Sequence, residues 1–140
     1  MDKPIVEERF EYKGFPCVVL FMPMGFRNGY VGLPKGHKYY GKEFDFIPVD
    51  CHCGLTYGKH YLYGQDDKDT YWIGFDCCHC CDGFDLENLD KYFGNRIENQ
   101  IMRDYHKMIN KEHEFRTLEY VKENCIGIVD QLTQKEMQDE

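Results

Sequence analysis

Most of the residues in this chain that suit metal binding lie in two short runs. The runs are Cys51-His52-Cys53 and Cys77-Cys78-His79-Cys80-Cys81. Zinc is usually held by four thiolate or imidazole ligands in a tetrahedron, and short loops often supply them. In the second run, Cys77 and Cys80, like Cys78 and Cys81, have the spacing of a zinc knuckle. The sequence therefore predicts a structural zinc site that joins the two runs.

The choice of ligands stays open at this point, because eight candidate side chains compete for about four positions. The aromatic and β-branched segment Tyr71–Phe75 predicts a strand, and continued alternation would place Cys77 and His79 on one face. In the first run, either His52 or its two cysteine neighbours would face the metal. Reduced structural cysteines and redox chemistry are the alternatives to a metal.

The other cysteines and the N-terminus bear on the redox environment. Cys17 and Cys125 fit small apolar residues of a buried core. Nothing at the N-terminus resembles a secretory signal. We therefore expect a reducing cytoplasm, in which disulfides are rare.

Secondary-structure elements must position the two runs. The sequence predicts strands in the N-terminal part of the chain and helices in the C-terminal part. Four β-rich segments follow a short N-terminal strand: Cys17–Met22, Tyr30–Leu33, Gly54–Tyr57 and Tyr71–Phe75. Asn28-Gly29 is the strongest hairpin signal and predicts the turn between the first two segments. The chain is predicted to be a single α+β domain, residues 1–140. Its sheet would be mixed or antiparallel with about five strands, followed by two C-terminal helices.

The two helices are predicted from a cap and from apolar periodicity. Asp85 suits the N-cap of the first helix, whose apolar stripe is interrupted at Gly94 and resumes over Tyr105 and Met108. His106 is predicted to be at the surface or half-buried. A second helix begins near Thr117. Its apolar residues share one face: Leu118, Val121, Cys125, Ile128 and Leu132.

Charge and motifs narrow the class of function. The net charge of −8 argues against direct binding to nucleic-acid phosphates, which needs Lys and Arg. It suits a partner with a basic surface. No apolar run is long enough to span a bilayer. The signatures of zinc deaminases and zinc proteases are missing, and a metal-dependent hydrolase that uses Asp76 or Asp82 stays an alternative.

An ordered series of motifs resembles a known family. The series comprises Gly29–His37, Tyr40–Lys42, His52–Tyr57 and Trp72–Cys77, followed by His79 and Asp82. It resembles a family of small uncharacterised proteins encoded by bacteriophages and prophages, over about residues 12–85 and again near Leu118–Val121. The resemblance implies a tetrahedral metal site of His37, His52, Cys77 and His79. The chain adds further cysteines to the pattern, so the alternates are Cys51, Cys53, Cys80 and Cys81.

The resemblance implies a phage origin and a role in the cytoplasm of a bacterial host cell. As a small, predicted zinc-binding α+β domain, the chain is also similar to anti-CRISPR proteins that bind Cas9. That similarity implies inhibition of a host defence effector by direct protein binding, with neither nucleic acid nor membrane as a direct ligand. Acidic side chains would meet the basic grooves of Cas9. The candidate contacts are Asp66, Asp67, Asp69, Asp82, Asp85 and Glu87.

Two further functions remain alternatives, so enzymatic activity is left open. A metal-dependent hydrolase would act on a nucleotide or a signalling molecule. A nucleotide-sequestering anti-defence protein would use a basic loop instead. In that loop, Tyr39 and Tyr40 would supply stacking, and Lys35 and Lys38 would supply charge.

Overall fold

The computed structural model describes residues 2–94 and 100–138 of the chain. The strands are β1 (Ile5–Tyr12), β2 (Phe15–Phe21), β3 (Arg27–Leu33), β4 (Tyr57–Lys59) and β5 (Tyr71–Asp76). The helices are α1 (Leu86–Phe93), α2 (Gln100–Asn110) and α3 (Leu118–Gln138), and a 3₁₀ turn lies at Phe44–Phe46. The strands form an antiparallel sheet in the order β1-β2-β3-β5-β4. The predicted α+β class is confirmed.

Helix α3 covers one face of the sheet with the apolar stripe that its sequence predicts. The buried members of the stripe are Val121, Cys125, Ile128 and Leu132. They pack against inward residues of β2, β3 and β5, among them Val19, Val31 and Ile73. Each large aliphatic side chain buried in this way contributes about 1.5–3 kcal/mol. This layer fixes α3 against the sheet and so positions the polar residues near its start.

The segment between β4 and β5 covers the opposite face of the sheet. Leu62 of this segment is buried and packs in a second cluster with Val18, Leu20, Tyr30 and Trp72. Because side chains alternate along a strand, Trp72 faces this cluster while the next residue, Ile73, faces α3. The sheet therefore separates two apolar layers.

The predicted hairpin turn at Asn28-Gly29 is wrong, because both residues lie inside β3. The chain instead turns after Met22, where Gly25 has a φ of 99°. Gly29 serves packing within the sheet, since a Cβ there would lie 2.5 Å from Cζ of Phe75. The glycine is needed for close approach rather than for a turn.

The predicted first helix is divided into α1 and α2. The Asp85 cap is present, since its Oδ1 accepts a 3.2 Å hydrogen bond from the N–H of Asn88. Helix α1 ends at Gly94, whose φ of 78° suits glycine. Among the described residues, no helix is both long enough and apolar enough to cross a membrane.

The buried side of α2 differs from the prediction. Tyr105 and Met108 are exposed, whereas His106 is fully buried. The His106 ring stacks on Phe84, with ring centroids 3.8 Å apart. The helix packs on the segment that follows the second cysteine run, and that tertiary contact decides which side chain turns inward.

Arg27 joins β1, β3 and the start of α1 in a buried ion network. Its Nε lies 2.6 Å from Oε1 of Glu7, and its Nη1 lies 2.9 Å from Oδ2 of Asp85. Nη1 also donates to the carbonyl of Arg116 at 3.1 Å. Burial lowers the pKa of Arg27, but the two carboxylates outweigh it and the net pKa is raised. The guanidinium therefore holds Asp85 inside the fold.

Candidate functional site

Two tight turns bring the two cysteine-rich runs together beside the start of α3. The first turn, Cys51–Gly54, is closed by a 3.0 Å hydrogen bond from its last N–H to its first carbonyl. The second turn, His79–Asp82, is closed in the same way at 2.9 Å. Each β-turn therefore presents a cysteine at its third position, Cys53 in the first turn and Cys81 in the second.

His52 belongs to the first turn, and its side chain lies between the second turn and α3. Its side chain is buried, with Nδ1 2.7 Å from the hydroxyl of Tyr120 and Nε2 2.9 Å from Oδ2 of Asp82. Its backbone N–H donates to Oδ1 of Asn124 at 2.8 Å. Both ring nitrogens are thus occupied by protein atoms, and a metal would have to displace one of them.

Asp82 is the hydrogen-bond acceptor that the residues of the site share. It is 2% exposed. Its Oδ1 accepts from Nε of Arg116 at 2.8 Å, and its Oδ2 accepts from the N–H of His79 at 3.1 Å as well as contacting His52. Burial raises the pKa of Asp82, but the hydrogen bonds from Arg116 and His52 outweigh it, so the net pKa is lowered. The carboxylate stays ionised at neutral pH and holds both turns.

His79 and Asp76 form a second and more exposed pair. Nε2 of His79 lies 3.2 Å from Oδ1 of Asp76. Asp76 also accepts from the N–H of Cys78 at 3.1 Å and from the hydroxyl of Thr56 at 3.0 Å. The rings of His79 and His52 are neighbours, with centroids 5.9 Å apart. Two of the imidazoles implied as zinc ligands therefore meet, each beside a different carboxylate.

The cysteines of the two runs differ in exposure. The exposed ones are Cys53, Cys78, Cys80 and Cys81, whereas Cys51 is half-buried and Cys77 is buried in the core. The contact between His52 and Asp82 places the turn of Cys53 beside the turn of Cys80 and Cys81. Three of the four alternate ligands therefore lie on neighbouring turns.

The thiols of Cys51, Cys53 and Cys78 are not activated as nucleophiles. Burial, followed by the neighbouring Asp50, raises the pKa of Cys51 to about 12. Burial also raises the pKa of Cys53 and of Cys78, and the nearby carboxylate of Asp82 adds to both shifts. A thiol that is protonated at neutral pH is a poor nucleophile. The arrangement does not resemble the active site of a cysteine hydrolase.

His37 lies at the other end of β5 from Cys77. The register pairs Leu33 with the first residue of β5, and Cys77 follows the last residue of that strand. A strand of six residues spans about 17 Å. The His37 ring packs edge-on against Phe15, with centroids 5.8 Å apart. The implied set of His37, His52, Cys77 and His79 is therefore not assembled, because strand register separates its first member from the rest.

No preformed metal site exists in the described part of the chain. Across residues 2–94 and 100–138, no group of three or more His, Cys, Asp or Glu side chains is arranged to hold a metal ion. The cluster of Cys53, Cys80 and Cys81 lies on exposed turns. Zinc binding there would require the turns to adjust.

The predicted partner contacts fall into exposed and buried groups. The exposed ones are Asp66, Asp67 and Asp69 between β4 and β5, and Glu87 in α1. Asp82 and Asp85 are buried and hold internal partners, Arg116 and Arg27 respectively. The expectation that these two carboxylates face a partner is corrected, since each neutralises an arginine inside the fold.

Three residues of the site were not predicted: Arg116, Tyr120 and Asn124. They lie 34 to 72 positions from the residues that they contact. Tyr120 and Asn124 are four residues apart on α3, and the Asn124 side-chain amide donates to the Tyr120 carbonyl at 3.0 Å. The four-residue spacing of Tyr120 and Asn124, beside the buried stripe of α3, is the sequence signal that could have identified these two residues.

Comparisons with protein-family models, with curated proteins and with solved structures find no match to this chain. Its function is therefore inferred from its own contacts, burial and charges.

Proposed function

We propose that the chain binds and inhibits a protein partner with a basic surface. The candidate partner is a bacterial defence effector, and Cas9 is the first to test. The observation that carries the proposal is an exposed tyrosine set among aspartates, formed by Tyr61 and the loop Gln65–Asp69. We call this set the acidic loop.

The acidic loop is anchored to the sheet by a buried neighbouring residue. Leu62 is 2% exposed and anchors the segment in the second apolar cluster. The adjacent Tyr61 is 62% exposed. A cleft of about 410 Å³ lies here, lined by His60, Tyr61, Gln65, Asp66, Asp67 and Lys68. Tyrosine is enriched among the residues that dominate binding energy at protein interfaces, so a rigidly held Tyr61 suits recognition.

The carboxylates of the acidic loop form only weak ion pairs within the chain. Arg9 lies 3.3 Å from Asp67, and Lys35 lies 4.0 Å from Asp69. Both pairs are exposed, and exposed ion pairs contribute about 0–1 kcal/mol. An arginine or lysine of a partner can therefore replace them at little cost.

Cas9 fits the charge of the chain. Cas9 holds its nucleic acids in a positively charged channel, and the chain carries a net charge of −8. Complementary charge of this kind speeds association and selects the partner. The resemblance to phage proteins supports the same class of target.

The test is direct binding to purified Cas9, together with inhibition of its DNA cleavage. We expect Asp66→Lys and Tyr61→Ala each to weaken binding roughly tenfold or more. Glu123→Lys makes the same charge change at an exposed position of α3 and should leave the affinity nearly unchanged. Raising the salt concentration should slow association. Absence of Cas9 binding, or equal losses in Asp66→Lys and Glu123→Lys, would contradict the proposal.

A second candidate function is nucleotide binding, favoured by one exposed aromatic. Phe46 is 74% exposed and lines a cleft of about 540 Å³ with Lys38, Tyr39 and Lys42. Aromatic faces and lysines suit a base and its phosphates. Tyr40, by contrast, packs against His60 and Tyr71.

Thermal unfolding with a nucleoside triphosphate tests this candidate. Stabilisation that is lost in Phe46→Ala and kept in Tyr61→Ala would support it. The absence of any shift with the unmodified chain would exclude it.

Hydrolysis at Asp82 has less support, because both of its oxygens are occupied by protein donors. Asp76 is more accessible, but it too accepts hydrogen bonds from its neighbours. Binding is therefore favoured over hydrolysis.

A structural zinc remains part of the proposal, at the thiols of Cys53, Cys80 and Cys81 with His79 as the imidazole nearby. Asp76 beside His79 and Asp82 near Cys53 favour a cation. Elemental analysis of the purified chain, with thermal melting before and after chelation, tests it. About one zinc per chain and a lower melting temperature after chelation are expected. Metal-free protein with unchanged melting would contradict it.

A further inference from the structure

We propose that Cys53 and Cys81 form a reversible disulfide, which makes this thiol pair a site of oxidative modification. This thiol chemistry is independent of partner binding. The disulfide would tie the first turn to the second across the mouth of the site.

The contact between His52 and Asp82 sets the two thiols opposite each other. These two buried side chains meet at 2.9 Å. Cys53 follows His52, and Cys81 precedes Asp82, so each cysteine is adjacent to one partner of that contact. The buried members point inward and the cysteines are exposed. Both turns therefore present a thiol outward at the same junction.

The backbone of Cys53 has an uncommon conformation. Its φ of 54° is in the left-handed region, which is uncommon for a residue with a Cβ. Glycine, asparagine or aspartate would adopt that conformation at lower cost. Strained backbone is concentrated at functional positions. A cysteine at this position fits a requirement for the thiol.

The other cysteines are poorer partners. Cys17, Cys77 and Cys125 are buried and out of reach of an oxidant. Adjacent residues such as Cys80 and Cys81 have Cα atoms about 3.8 Å apart, which is below the usual disulfide range of about 4.4–6.8 Å. The remaining exposed competitors of Cys81 as a partner for Cys53 are Cys78 and Cys80, and the experiment must separate the three.

The chemistry is thiol–disulfide exchange with a small-molecule disulfide such as oxidised glutathione. The thiolate of one cysteine attacks the reagent, forms a mixed disulfide and releases one glutathione. The thiolate of the second cysteine then attacks the protein sulfur of that mixed disulfide and releases the other glutathione. The two thiol protons end on the two glutathione thiols. The protein is oxidised by two electrons, and the reagent is reduced by two.

Peptide mapping after oxidation tests the pair. The full chain is treated with oxidised glutathione at about pH 8, quenched by alkylation and digested with trypsin without reduction. Cys51 and Cys53 fall in one tryptic peptide, residues 43–59. The four cysteines of the second run fall in another, residues 69–91. The linked position is therefore assigned with single serine variants.

We expect a cross-link between these two peptides that dithiothreitol reverses. It should be lost in Cys53→Ser and in Cys81→Ser, and kept in the matched variants Cys51→Ser, Cys78→Ser and Cys80→Ser. Circular dichroism of each variant checks the fold. Glutathione adducts without a cross-link, or a cross-link that survives in Cys81→Ser, would overturn the proposal.

Discussion

Nε2 of His52 lies 2.9 Å from Oδ2 of Asp82, and this contact couples the two cysteine-bearing turns to each other. Tyr120 and Arg116 hold the outer ends of the pair, so the turns are also joined to the region around the start of α3. The pair is buried, and its loss would leave polar groups without partners. The stability of the site therefore depends on a few hydrogen bonds rather than on apolar area.

Replacement of Asp82 by alanine should destabilise the fold by about 3 kcal/mol. The reason is that His52 and the N–H of His79 lose their acceptor inside the protein. Urea unfolding followed by circular dichroism measures the change. Asp76→Ala, which removes a more exposed carboxylate from the same region, serves as the control and should cost about 1 kcal/mol or less. Equal losses in the two variants would show that the buried acceptor has no special role.

The stability of the chain should fall in acid because of the same carboxylate. Burial raises the pKa of Asp82, but Arg116 and His52 outweigh it, so the folded pKa lies below the unfolded value of about 3.9. Stability is then fully present above about pH 4 and is lost as the pH falls through the folded pKa. Unfolding free energies of the unmodified chain and Asp82→Ala, measured across this range, should converge in acid. A constant difference between them would contradict the assignment.

His106 should make the fold sensitive to a milder fall in pH. Burial, and then the nearby Arg103, lowers its pKa below the unfolded value of about 6.5. The neutral ring is favoured in the folded chain, so stability falls as the pH drops from about 7.5 to about 5. Neither ring nitrogen has a hydrogen-bond partner among the described residues.

His106→Phe should therefore raise stability by about 1 kcal/mol and remove this pH dependence. Urea unfolding at the two pH values measures both effects. His113→Phe, at a half-buried position in the connection from α2 to α3, is the matched control. A variant that is no more stable than the unmodified chain, with the same pH dependence, would mean that the buried imidazole is not the sensor.

Zinc should protect the pair of Cys53 and Cys81 from oxidation. Zinc binds thiolates, and a thiolate held by the metal is withdrawn from exchange with oxidised glutathione. Cross-linking rates with and without Zn²⁺ measure the effect, and Mg²⁺, which prefers oxygen ligands, is the control. Equal cross-linking rates with Zn²⁺ and Mg²⁺ would show that the thiol pair is not part of a zinc site.

Local patterns predicted the elements that depend on nearby residues. The apolar stripe of α3 and the Asp85 cap were found because both are short-range features, repeated within one helix or one turn. Local sequence patterns failed where a residue distant in the sequence determines the structure. Gly29 lies inside a strand where the Phe75 ring leaves no room for a Cβ, and His106 is buried with its ring stacked on Phe84.

The candidate site was predicted in part for the same reason. Clustered cysteines and histidines can be seen in the sequence, and the structure places the turns that carry the two runs side by side. Which of them meet is decided by turns and register. The second turn directs Asp82 inward and Cys81 outward, and the pairing of β3 with β5 moves His37 away. Neither can be obtained from residue spacing alone.

Strand β5 has a further consequence, because it is paired on both sides and connects the acidic loop to the thiol pair. The acidic loop ends just before the strand, and the second cysteine run begins just after it. This strand of six residues holds the two ends about 17 Å apart. Substitutions more than about 10 Å apart change free energies additively. The two ends can therefore diverge independently: one can adapt to a new partner while the other keeps its chemistry, with the sheet between them unchanged.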